Sequence, residues 1–157
     1  VSVAADAHAV REFIETFSSL ARQSLNGHPA PGVLQLSRLH PNDKDIVVSR
    51  YLLDAVDGMV DAATTAADSG QNAFIEGRLV PSGVRGRGKF DDTIFVFALV
   101  VDSDADKNAA WTPPPGVRPT MVVETSPGNH QYWFSQRSDS SRKGARSRQE
   151  NPRRYAH

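Results

Sequence analysis

Thr93-Ile-Phe-Val-Phe-Ala-Leu-Val-Val101-Asp-Ser-Asp104 is the stretch whose reading decides the fold. Ile94–Val101 is uninterruptedly apolar and rich in β-branched and aromatic residues, the composition of a central strand buried on both faces. The run holds eight residues, far short of the ~20 that a membrane-crossing helix needs. The strand then enters alternating carboxylates, Asp102-Ser-Asp104-Ala-Asp106. Side chains alternate along a strand, so Asp102 and Asp104 project together, about 7 Å apart at Cα. Paired carboxylates stay ionised best around a cation, and hard oxygen donors suit Mg²⁺ or Mn²⁺. Aspartates that merely end a strand are the plainer alternative. A calcium loop fails: counted from Asp102, Lys107 stands where glycine is required and Pro113 where glutamate is required.

Downstream, a polar, Pro-rich connection spans Asp102–Pro119 and leads to a strand at Thr120–Glu124. A tight Ser126-Pro-Gly-Asn129 turn and a returning strand at His130–Phe134 complete a hairpin. The turn is expected to aim backbone N–H groups and the Ser126 hydroxyl at one place, with Gly128 and Asn129 supplying positive φ. His130 starts the returning strand and is a candidate donor to a phosphate oxygen. An ordinary hairpin with a hydrogen-bonded histidine is the alternative. Tyr132-Trp-Phe134 reads as sheet packing rather than a base-stacking platform.

Upstream, Ala73–Val80 reads as a strand, followed by the Gly- and Arg-rich loop Pro81–Asp92. Arg85, Arg87 and Lys89, interleaved with glycines, fit a loop that wraps phosphates, or a solvated loop. Walker spacing is absent. Val10, Phe13, Ile14, Phe17, Leu20 and Ala21 recur every three or four residues, the apolar face of a helix stopped by Asn26-Gly27. A second helix is expected over Ala55–Ala67, with Asp54 as its N-cap and Val56, Met59, Val60 and Ala63 as its stripe. Val33–Leu39 reads as a short strand, whereas periodicity does not decide Ile46–Leu53 between strand and helix entry. The expected fold is α+β, a mostly antiparallel sheet covered by two N-terminal helices.

The 157 residues fit one domain, and the absence of cysteine excludes disulfide scaffolds, zinc fingers and thiol nucleophiles. Metalloprotease His spacing and the G-x-S-x-G elbow are also missing. No signal-peptide pattern opens the chain, so a soluble cytoplasmic protein is expected. The net charge of zero hides an asymmetry: residues 1–136 carry 11 basic and 16 acidic side chains, residues 137–157 carry 7 and 2. Residues 137–157 lack apolar patterning and read as a disordered basic tail, expected to be a truncated or out-of-frame end. The expected domain is 1–136.

The order of these elements resembles the archaeo-eukaryotic primase superfamily, and within it the RepB-type plasmid primase domains and related primase-polymerases. The resemblance rests on Phe97-Ala-Leu-Val-Val-Asp-Ser-Asp-Ala-Asp-Lys107 and Val122-Val-Glu-Thr-Ser-Pro-Gly-Asn-His-Gln-Tyr-Trp-Phe134, and covers about residues 70–136. It implies a core related to the RNA-recognition motif and metal-dependent, template-directed primer synthesis in plasmid or mobile-element replication. Asp102 and Asp104 would hold Mg²⁺ or Mn²⁺, while His130 and Ser126 would contact the phosphates of the incoming nucleotide. Gly128, Asn129, Arg85, Arg87 and Lys89 would complete the nucleotide site. Partners would be single-stranded DNA, nucleoside triphosphates and other replication proteins. The superfamily also uses a third acidic residue on a later strand. Here Asp139 and Glu150 sit in the Arg/Ser tail, so the chain departs from that pattern. The alternatives are a non-catalytic nucleic-acid-binding remnant and, with nothing positive selecting it, a metal-dependent phosphodiesterase. The primase reading requires the acidic pair and the imidazole of His130 to face one pocket.

Overall fold

The structure, a computed structural model, describes residues 6–25, 32–42, 45–107 and 110–135. The Asn26-Gly27 stop, the tail 137–157 and its Asp139 and Glu150 lie outside the described residues. The fold is α+β; among the described residues there are two helices, α1 (Ala7–Leu25) and α2 (Val56–Asp68), and eight short strands paired antiparallel. Among the described residues, no helix is long and apolar enough to cross a membrane.

The expected single sheet is instead three small ones. The first has the order β2-β1-β3, from β1 (Leu34–Leu39), β2 (Ile46–Tyr51) and β3 (Asn72–Ile75). A two-stranded ribbon joins β4 (Arg78–Leu79) to β5 (Phe95–Val96). The third sheet has the order β6-β8-β7, from β6 (Ala98–Ser103), β7 (Met121–Ser126) and β8 (Asn129–Ser135). Sheets this small are marginal when isolated in water and gain stability by packing an apolar face or a helix against them. Here they share a core.

α1 builds that core. Its Ile14, Phe17 and Ala21 are buried, as the three-and-four spacing requires, alongside Met59 and Val60 of α2 and Leu34 of β1. Phe17 meets Phe97 and Trp133 edge-on at ring distances of 4.9 and 5.1 Å, and stacks on Phe13 at 5.4 Å. Asp6 caps α1, accepting hydrogen bonds from the backbone N–H groups of His8 and Ala9. α2 is capped differently from expectation. Ala55, not Asp54, is its N-cap, and no side chain bonds there.

Two strands read as continuous are broken, each at the same crossing. Ala73–Val80 divides into β3 and β4 around Glu76-Gly77, and the 93–101 run divides into β5 and β6 around Phe97. The Gly77 carbonyl accepts hydrogen bonds from both Phe97 N–H and Ala98 N–H, at 2.9 and 3.1 Å. A Cβ on Gly77 would lie 2.3 Å from the Ala98 carbonyl oxygen, so only glycine permits this approach. The chain thus leaves the ribbon and enters the third sheet in one step.

Consequently the run is not a central strand covered on both faces. β6 pairs only with β8 among the described residues, and Leu99 and Val100 are 60% and 42% exposed. Phe97 is fully buried and Ala98 nearly so. Truncating Phe17 to alanine is expected to lower unfolding free energy by about 3–5 kcal/mol. Leu99→Ser is expected to change it by no more than about 0.5 kcal/mol, as at other exposed positions. Chemical denaturation of both variants checks the contrast.

Candidate functional site

The acidic end of β6 is organised by alternation and by a short turn. Ser103 is buried, and its hydroxyl accepts a hydrogen bond from Trp111 N–H at 2.8 Å. Asp102 therefore projects from the opposite face, exposed, with no hydrogen bond or ion pair among the described residues. After Asp104 the chain closes a single 3₁₀ turn over Ala105–Lys107, which swings Lys107 back over the carboxylates. The Lys107 ammonium lies 2.8 Å from Asp104 Oδ2. Its pKa is raised, first by that hydrogen bond, then by the negative charge of Asp104, with smaller contributions from Asp106 and Asp102. Both aspartates of the pair thus act electrically on one cation.

The hairpin turn carries Pro127 followed by Gly128 at φ 81°, the residue order of a type II turn. Its polar groups are engaged locally. Gly128 N–H donates to Glu124 Oε1 at 3.2 Å, and Asn129 Nδ2 donates to Ser126 Oγ at 2.9 Å. The other end of the Asn129 carboxamide reaches across, its Oδ1 accepting from Ala105 N–H at 2.8 Å. One side chain therefore clasps the turn to the residue following Asp104. The structure does bring the two sequence clusters together, through Asn129.

His130 is elsewhere. Directly opposed residues of an antiparallel ladder project from one face. His130 opposes Ser103 and Glu124, whereas Gln131 opposes Asp102 and Val123. The imidazole thus belongs to the face away from Asp102, 6.1 Å from the Tyr132 ring at centroid. Trp111 packs on that same face, edge-on to Tyr132 and Phe134 at 5.3 and 6.2 Å. Trp133 points the other way, into the core. Gln131, not His130, shares the face of Asp102. Period-two alternation with Trp133 was its available signal, because whichever of Tyr132 and Trp133 is buried sets the face of both neighbours.

The Gly/Arg loop is strapped down rather than open. Arg78 donates to Glu76, to Thr93 Oγ1 and to the carbonyls of Arg87 and Lys89. Arg50 and Gln35 donate to the carbonyls of Gly86 and Arg87. The Arg87 guanidinium is itself paired with Glu76 at 2.7 Å, a carboxylate only 14% exposed. Arg85 and Lys89 are exposed, and their side-chain cations have no partner among the described residues. No hydrogen bond or ion pair links the loop to the acidic end of β6 among the described residues.

Among the described residues no group of three or more His, Cys, Asp or Glu side chains is arranged to hold a metal ion. The donor set beside the hairpin is Asp102 and Asp104. Such a set suits Mg²⁺ as it is often bound, through one or two carboxylates with water and substrate phosphates.

An acidic strand end clasped to a Ser-Pro-Gly-Asn hairpin falls within residues 93–155, which match a family model of replication primases. That model is the RepB DNA-primase N-terminal domain, so the resemblance to RepB-type primase domains is shown for this stretch. The match begins at the 93–101 run and continues past residue 136 into the basic segment. No curated protein and no solved structure matches the chain.

Replacing Asn129 by alanine removes both clasp bonds. Exchange of the Ala105 amide proton is expected to quicken about fivefold, since a hydrogen bond of this kind contributes roughly 1 kcal/mol. Global stability should stay within about 1 kcal/mol, and hydrogen-exchange NMR checks both.

Proposed function

We propose that the chain provides a nucleotidyl-transfer centre of primase type, acting on single-stranded DNA and nucleoside triphosphates in plasmid or mobile-element replication. The observation that carries this reading is the primase-family match over residues 93–155, which contains both the Asp102/Asp104 pair and the 126–129 turn. The core related to the RNA-recognition motif and the other replication proteins as partners belong to the same proposal. In it Asp102 and Asp104 hold Mg²⁺ or Mn²⁺, which supplies charge neutralisation of the triphosphate and a more acidic attacking hydroxyl. The chain's own residues do the positioning. Asn129 and Ser126 fix the hairpin against the acidic strand end, and Lys107 carries positive charge beside it. Arg85 and Lys89 hold template or triphosphate phosphates as exposed, unspent cations. Arg87 serves the loop through Glu76.

Primer synthesis on single-stranded DNA with labelled nucleotides tests the reading. Incorporation is expected with Mg²⁺ or Mn²⁺, falling at least ~100-fold in Asp102→Ala/Asp104→Ala, a loss of about 3 kcal/mol of transition-state stabilisation or more. Incorporation that survives the double substitution, or no incorporation with either metal, overturns it.

A second reading, nucleic-acid binding without catalysis, is favoured by one observation: the Lys107 ammonium already lies against Asp104. It predicts salt-sensitive DNA binding with no nucleotide incorporation. In either reading Arg85→Ala/Lys89→Ala is expected to flatten the slope of log K against log salt by about 1.4 on single strands, roughly 0.7 per lost phosphate contact. Fluorescence anisotropy across a salt series measures it.

A further inference from the structure

We infer that Gln131, and not His130, is the side chain with which β8 meets the triphosphate of a nucleotide bound at the acidic pair. The inference rests on the primase reading above and assigns a nucleotide-binding residue within it. Gln131 stands directly across from Asp102, with Val123 on its other side. Residues so opposed have Cβ atoms about 4.5–5.5 Å apart. A ligand that engages the Asp102 carboxylate through a cation lies within reach of the Gln131 carboxamide.

This facing is not free to change. Trp133, two residues along β8, is 4% exposed and meets Phe17 and Phe13. Tyr132, on the opposite face with His130, is held by Trp111. A one-residue slip that brought His130 beside Asp102 would expel Trp133 from the core and bury the hydroxyl of Tyr132 there. Core packing therefore selects which polar residue looks at the acids.

The chemistry of Gln131 suits the position. Its carboxamide is half-buried and makes no hydrogen bond among the described residues, so both its donors are unspent. Ser126 and Gly128, by contrast, are committed to the hairpin. An amide N–H donates to a phosphate oxygen without carrying charge, and it does not titrate. An imidazole in the same place changes charge near pH ~6.5. A protein that uses Gln131 therefore binds triphosphate with no imidazole step in its pH dependence.

Calorimetric titration of the full chain with ATP in the presence of Mn²⁺, run beside the incorporation assay, tests the assignment. Gln131→Ala is expected to weaken ATP binding about tenfold or more, the loss of one hydrogen bond to a charged group. His130→Ala is expected to leave binding within twofold. Gln131→Glu keeps the size of the side chain, replaces the donor by an acceptor and is expected to weaken binding further. It carries the test if the alanine variant unfolds. Gln131→His is expected to restore binding relative to alanine and to introduce a step near pH ~6.5. Wild-type binding that is unchanged in Gln131→Ala and Gln131→Glu, or that is lost in His130→Ala, overturns the inference while leaving the primase reading intact. ATP binding that depends on Gln131 without any incorporation upholds the inference and removes the catalytic reading. A wild-type chain that binds no ATP overturns both.

Discussion

The edge-on contact of Phe17 with Phe97 and Trp133 is the constraint from which the remaining architecture follows. Sheets this small draw stability from packing on a helix, and α1 supplies the surface on which Phe97 of the crossing and Trp133 of the third sheet meet. Phe97 sits where the chain passes from ribbon to third sheet. Trp133 sits in the middle strand of that sheet. One phenylalanine between them couples the crossing to the sheet it feeds. The same contact reaches the candidate site, because anchoring Trp133 assigns a face to every residue of β8. Gln131 and His130 exchange places if it fails.

Much of this was legible in the chain. The helical face of α1 follows from spacing, and the hairpin follows from Ser126-Pro-Gly-Asn129 flanked by apolar alternation. The α+β composition follows from the change of period after residue 72. The 93–101 run shows where such reading stops. An unbroken apolar stretch does point to burial. It does not say that one sheet provides it. Here Phe95 and Val96 serve the ribbon, Phe97 the core and Ala98 the third sheet in succession, while Leu99 and Val100 stay largely uncovered.

Charge was legible only as content. Arg85, Arg87 and Lys89 look equivalent in the loop, yet Arg87 is drawn to Glu76, which lies outside it and is mostly buried. Loop glycines that suggest freedom are fixed by hydrogen bonds to the carbonyls of Gly86 and Arg87. The acidic pair was found by spacing, because alternation within one strand is a local property. Its opposite neighbour was not, because cross-strand register is set by packing many residues away.

The position of Lys107 has a further consequence. With its ammonium against Asp104, the protein carries its own counterion beside the acidic pair. In the proposed primase reading, a metal ion at Asp104 would have to displace that lysine, so its apparent affinity would include the work of moving the arm.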